Sequence, residues 1–341
     1  MDNIKPIFQA GPIKSISRLV TALGITLSEL EHVLHLSPNE RYSDLKNPIY
    51  KKDGSVRVIK NPNRDIRKIQ FRLNQRISKA CVRWPDYLFG SIPKTDQSGN
   101  RDYVACAQVH CGAKSILKLD VSSFFDSIHK DHVYSLFHGL FRYSEEVSLC
   151  LANICCYEDH LVQGALTSSY IATLILWDVE QELVRKLRRA GLKYTRLVDD
   201  ITISSTCHGY DFSMAEKLVF DMLAAKSLSL NVKKSVVYRT GTESLKVHGL
   251  EVSFSKPNLP KSEVKKIRAA VHQISLLAKN KSVRRTYKYR ANYHRTLGRV
   301  NKLARLENDK RDRFLKVLLS TSVRPLPSGR DTGRDSTLCI I

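Results

Sequence analysis

Two acidic residues stand side by side at the tip of an apolar hairpin. In the segment Tyr194–Ser204, YTRLVDDITIS, apolar residues on either side of Asp199 and Asp200 read as two strands joined by a tight turn. Adjacent carboxylates repel one another and resist desolvation, so a pair in such a setting calls for a cation beside it. A second apolar segment, SILKLD, closes on a third carboxylate, Asp120. Three carboxylates at one end of a sheet offer hard oxygen ligands, the donor set of Mg2+, with room for a pair of ions about 3.5–4 Å apart. For Asp199-Asp200 taken alone a polar turn is the plain alternative, and the segments around it must decide.

Strand and helix signals alternate along the 341 residues, which makes the chain a mixed α and β one. Residues 1–46 carry helical spacing (Ile13, Ile16, Leu19, Val20, Leu23, then Leu27, Leu30, Val33, Leu34), with Ser28 as an N-cap. Ile49 to Ile59 reads as a hairpin around Asp53-Gly54. A helix is expected to open at Pro62, with Ile66, Ile69, Leu73 and Ile77 on its apolar face. Residues 90–115 read as loop with one short helix. Further helices are expected at about 129–156, 168–190 and 211–227, and strands around Val236–Tyr238 and Val247–Phe254. From 261 to 319 the chain reads as helical, with apolar stripes through Ile267, Val271, Ile274 and Leu277 and through Leu297, Val300, Leu303, Leu306, Phe314 and Leu318.

Charge narrows the function. The chain has 56 Lys and Arg against 33 Asp and Glu, a net charge of +23. Residues 261–341 hold 21 of the cations and only 6 of the acids. Such a field attracts polyanions, of which phosphate backbones are the commonest. Tyr287, Tyr289 and Tyr293 are interleaved with Arg284, Arg285, Lys288, Arg290 and Arg295, a mixture suited to gripping phosphates and stacking on bases. No apolar run of about 18 residues and no secretory leader is evident, so neither a membrane span nor export is expected. Eight scattered Cys without a CxxC pair fit reduced thiols in a cytosol.

Seven segments, in one order, resemble the reverse transcriptases. KKDGSVRVI (51–59) and NRDIRKIQFRL (63–73) look like the two fingers motifs, and LKLDVSSFFDSI (117–128) like motif A. YEDHLVQGALTSSYIATLIL (157–176) looks like motif B, and YTRLVDDITIS (194–204) like motif C. LSLNVKKSVV (228–237) and LKVHGLEV (245–252) look like motifs D and E. The resemblance is to small bacterial enzymes of the retron and antiphage-defence groups. It implies an α+β right-hand polymerase fold: an N-terminal helical segment (1–44), fingers (45–115), a palm with an antiparallel sheet (116–255), a basic helical thumb (256–319) and a flexible tail (320–341). It implies an RNA-directed DNA polymerase in which Asp120, Asp199 and Asp200 are catalytic. With Val121 they would hold two Mg2+ ions, or Mn2+, one activating the primer 3′-oxygen and the other stabilising the leaving pyrophosphate. Phe125 matches the gate that excludes a ribose 2′-hydroxyl, and Gln163 and Gly164 match the turn that meets the incoming nucleotide. Arg57 and Lys68 fall where the family places cations on the triphosphate. Lys234, with Lys233 as competitor, falls where a lysine could protonate pyrophosphate. Arg284, Arg285, Lys288, Arg290 and Arg295 would hold nucleic acid. The partners implied are a dedicated non-coding RNA template, dNTPs, the DNA product and a protein encoded nearby, in the bacterial cytoplasm and away from membranes.

Several positions depart from the pattern. Leu197 replaces an aromatic residue before Val198-Asp199-Asp200, and Leu166 and Ser169 stand where motif B usually has proline. Retron enzymes carry Asn-Ala-x-x-His before motif A, where this chain has Cys106-Ala107-Gln108-Val109-His110. They carry Val-Thr-Gly in motif E, where this chain has Val247-His248-Gly249. These changes favour a non-retron, defence-type enzyme. The alternatives are a retron enzyme making an RNA–DNA hybrid (msDNA), and a non-catalytic RNA-binding scaffold. His248 reads either as a nucleic-acid contact or as a satisfied structural residue.

Overall fold

A computed structural model describes residues 4–45, 47–51, 54–93, 99–241 and 244–321. The chain divides into two compact units, Met1–Pro257 and a second that begins at Asn258.

The first unit is built on a five-stranded sheet. Its spatial order is Val236–Arg239, Ser115–Asp120, Asp200–Ser205, Lys193–Leu197, Leu88–Phe89. All neighbours are antiparallel except the short edge strand Leu88–Phe89, which runs parallel to Lys193–Leu197. Ser115–Asp120 and Asp200–Ser205 are buried along nearly their whole length, so both faces of these strands are covered. Leu117, Leu119, Ile201 and Ile203 join the main core with residues of the surrounding helices, among them Leu151, Ala172, Val184 and Val219. The register sets Asp120 directly opposite Asp200, so motifs A and C end at the same edge.

Some local expectations change. The second N-terminal helix, Leu27–His35, is capped by Thr26 rather than Ser28: Thr26 Oγ1 accepts from Glu29 N and the Glu29 carboxylate accepts from Thr26 N, a reciprocal capping box. Pro62 ends a short strand, and Asn63 caps the helix Arg64–Leu73 through Asp65 N and Ile66 N. The Ile49–Tyr50 and Val56–Arg57 strands pair as expected; Lys52 and Asp53 at their turn lie outside the described residues. The single strand expected over 247–254 is a small hairpin, Lys246–Val247 against Leu250–Glu251, turning at His248 and Gly249 with φ of 48° and 77°.

The second unit is helical over Lys261–Leu277, Lys281–Arg284, Tyr287–Arg305 and Lys310–Ser320. Of the expected stripe residues, Ile267, Val271, Ile274, Val300, Leu303, Phe314 and Leu318 are buried, while Leu277, Leu297 and Leu306 are half-buried. Tyr289 and Tyr293 are not available for stacking on bases: both are buried, and the Tyr289 hydroxyl donates to Thr321 O at 2.8 Å. Tyr287 is 86% exposed. Arg285, Lys288 and Arg295 are exposed, while Arg284 and Arg290 are half-buried. Residues 322–341, most of the expected tail, lie outside the described residues.

Candidate active site

The three acids gather where the central strands end. Leu197 pairs with Asp200, so Val198 and Asp199 form the two-residue turn between the hairpin strands. Asp199 O accepts from Val121 N at 3.2 Å, which ties motif C to motif A. Asn231 N donates to Asp120 O at 2.7 Å and brings motif D alongside. Lys234 Nζ lies 2.8 Å from Asp120 Oδ2. Of the two adjacent lysines, Lys234 is thus the one at the acids, and the Asp120 hydrogen bond raises its pKa. Burial lifts the Asp199 carboxyl above the ordinary range, and the charges of Asp120 and Asp200 lift it further. Asp200 Oδ2 lies 3.2 Å from His248 Nδ1. An all-oxygen donor set with crowded negative charge suits a hard divalent cation. The described residues contain no preassembled group of three His, Cys, Asp or Glu ligands; Lys234 holds Asp120 and His248 holds Asp200. Val121 is buried beside Asp120.

A buried ion pair supports the motif C turn, and the sequence reading missed it. Val198 has φ 61°, an outlier for a β-branched residue. Its carbonyl accepts from Arg196 Nη1 at 2.9 Å. Arg196 is fully buried, and its Nε and Nη2 each reach a different oxygen of Glu180 at 2.6 Å. Nη2 also donates to Thr173 O at 2.8 Å, and the Tyr194 hydroxyl donates to Glu180 Oε1 at 2.7 Å. One guanidinium therefore joins the turn to the helices Ser168–Leu174 and Glu180–Arg189. The available signal was an Arg inside an apolar strand, since a charge there must be paired. Gly90, at φ 96°, lets the edge strand approach the same turn: a Cβ on it would sit 3.1 Å from Val198 Cγ2.

The Gln-Gly turn meets the fingers. Lys60 N donates to Gln163 O at 2.9 Å, and Arg57 Nη1 to Gln163 Oε1 at 3.4 Å. Gly164, at φ 110°, lies so close to the Lys60 backbone and the Ile59 side chain that a Cβ would overlap the Lys60 carbonyl oxygen. Arg57, Gln163 and Gly164 are thus brought together. Lys68 is ion-paired with Glu29 of the second N-terminal helix. Phe124 is core, and Phe125 is only partly buried against it. Among the described residues no helix is long and apolar enough to cross a membrane.

The family described as "Reverse transcriptase (RNA-dependent DNA polymerase)" matches residues 49–277. The chain is 43% identical over 336 residues to Retron Ec48 reverse transcriptase of Escherichia coli, covering 97% of this chain and 81% of that protein. It is 33% identical over 311 residues to Retron Se72 reverse transcriptase of Salmonella heidelberg (strain 579083-10), covering 89% and 78%. Among solved structures, apo telomerase from Candida tropicalis aligns with TM-score 0.41 and 11% identity over 87% of this chain and 67% of that one. These relatives correct the preference for a non-retron group. The two altered signature positions touch, with Cys106 Sγ 3.2 Å from His248 Nε2, and so differ as one paired contact within a retron-type scaffold. Enzymes of this family copy RNA with dNTPs and use divalent metal ions. An acid-tipped palm sheet of right-hand type, a family match over residues 49–277 and near-full-length likeness to two retron enzymes lead to one assignment: the chain belongs to the retron reverse transcriptases, RNA-directed DNA polymerases of bacterial type.

Proposed function

We propose that the chain copies a dedicated non-coding RNA into DNA with Asp120, Asp199 and Asp200 as its catalytic carboxylates, within a retron system serving antiphage defence in the bacterial cytoplasm. The observation that carries the site assignment is the register that sets Asp120 opposite Asp200, with Asp199 adjacent and raised in pKa by burial and then by its neighbours' charge. Two Mg2+ ions held by these acids, with Val121 O, would supply activation of the 3′-oxygen and charge stabilisation at the leaving group. Such ions are completed by substrate phosphates, in keeping with ligands that are not preassembled.

The surrounding residues divide the remaining work. Lys234 pairs with Asp120 and would act as the proton donor to the pyrophosphate leaving group. Arg57, beside Gln163, places a cation over the Gln-Gly turn, where the triphosphate and the templating pair would meet. Lys68 would join it only after leaving Glu29. Phe125, partly buried, would stand against the sugar and exclude a 2′-hydroxyl. Residues 45–115 act as fingers, 116–255 as palm and 256–319 as thumb. The thumb grips the RNA–DNA duplex through Arg285, Lys288 and Arg295, assisted by Arg284 and Arg290. The test is primer extension on RNA with dNTPs or rNTPs and Mg2+. Wild type should use dNTPs, and Phe125→Ala should admit rNTPs. Unchanged discrimination removes Phe125 from the gate role. A scaffold without catalytic activity would extend nothing.

A further inference from the structure

The two segments that depart from the retron signatures meet behind the acid cluster. His248 occupies the first position of a two-residue turn in which both residues have positive φ, 48° at His248 and 77° at Gly249. That geometry favours Asn, Asp or Gly, and a His held there carries strain on the order of 1–3 kcal/mol. Strain of this kind persists when the surroundings over-determine it, and the His248 ring, 10% exposed, is engaged at both nitrogens. Nδ1 lies 3.2 Å from Asp200 Oδ2, an ion-pair distance. Nε2 lies 3.2 Å from Cys106 Sγ. Cys106 Sγ is 3.2 Å from Thr195 Oγ1, which is 2.7 Å from His110 Nε2, and His110 Nδ1 is 2.7 Å from Ser204 Oγ. Cys106 and His110 come from the Cys-Ala-Gln-Val-His segment, and Thr195 and Ser204 from the two motif C strands. Asp200 is therefore the exposed end of a buried polar chain that returns to its own sheet.

We propose that His248 is a positioning residue for Asp200: its Nδ1 edge, set against Oδ2, fixes the carboxylate's rotamer and leaves the second oxygen to ligate a metal, while Cys106 seats the ring. The inference rests on Asp200 being a metal ligand, as read above. Outer-shell partners of a metal ligand commonly change metal affinity by about 10–100-fold when removed, and a single contact to one of three acids belongs at the lower end, about tenfold.

The measurement is Mn2+ binding by electron paramagnetic resonance. It uses the full chain with an RNA template, a dideoxy-terminated primer and the matching dNTP, so that binding is read without turnover. His248→Gly accepts positive φ and removes the ring. It should weaken Mn2+ binding about tenfold and lower kcat while leaving the dNTP KM and the melting temperature near those of wild type. His248→Asn keeps a short amide donor and tolerates the same backbone, and should restore most of the affinity. Cys106→Ala should give a smaller loss, and adding it to His248→Gly should cost nothing further. Unchanged or tighter Mn2+ binding by His248→Gly would overturn the inference, as would an Asn variant no better than Gly. If wild type itself binds no Mn2+ at Asp200, shown by an unaltered signal in Asp200→Asn, the metal-site reading fails instead.

Discussion

Replacing Glu180 with Gln changes one oxygen to an amide in a fully enclosed site. Arg196 keeps its charge, since a guanidinium does not deprotonate in proteins, and loses the carboxylate that matches it bidentately at 2.6 Å on both arms. Breaking one side of a buried pair costs about 3–5 kcal/mol, a large part of the roughly 5–15 kcal/mol that holds a domain folded. For a unit of this size, about 2–4 °C of melting temperature per kcal/mol turns that into a fall of roughly 6–20 °C. No cavity contributes, because Gln and Glu have nearly the same volume. Thermal unfolding followed by circular dichroism reads the shift. The double variant Glu180→Leu/Arg196→Met removes both charges and should recover most of it. A fall of less than about 2 °C in Glu180→Gln would refute the reasoning, because the pair would then be worth no more than an exposed one.

Three further outcomes follow from the geometry. Asp199 has a raised folded-state pKa, so its ionisation opposes folding; the penalty is absent below about pH 4, the unfolded value, and builds as pH rises through the folded one. In EDTA at pH 7, Asp199→Asn should therefore melt no lower than wild type, with the difference vanishing in acid; a clear loss of stability at pH 7 would contradict the penalty of burying this charge beside two others. Gly164→Ala drives a Cβ into the Lys60 carbonyl at φ 110° and should lower the melting temperature and cut DNA synthesis together, whereas a neutral substitution would mean that the turn and the fingers move apart freely. Reversing the exposed Arg285, Lys288 and Arg295 to Glu should weaken RNA binding and flatten its salt dependence with the circular dichroism spectrum unchanged, and equal salt slopes would assign the grip to the first unit.

What the sequence disclosed and what it withheld divide along the range of the forces. Motif strands and their acids were legible because period-two runs such as SILKLD and DITIS are local signals, and the Asp-Asp turn interrupts them. The hairpin at 246–251 was hidden: each strand is only two residues long, and the turn at His248 lacks the usual Asn or Asp. Thr26 and Ser28 each stand three residues before a Glu, so the spacing alone did not choose between them; the reciprocal capping bonds form between Thr26 and Glu29. Arg196–Glu180 and His248–Asp200 join residues far apart in sequence, and nothing local says which acid a buried cation will find. Tyr289 and Tyr293 misled for the opposite reason: a Tyr among Arg and Lys looks like a stacking surface, yet positions 289, 293, 296 and 300 form the buried stripe of their helix.

The most direct test of the central claim is extension of a DNA primer on an RNA template with dNTPs and Mg2+, comparing wild type with Asp120→Asn, Asp199→Asn and Asp200→Asn. Each variant should have a wild-type circular dichroism spectrum. Wild type should make full-length DNA and each variant none. Full-length DNA from any folded variant would contradict the assignment of these three carboxylates as the site of nucleotidyl transfer.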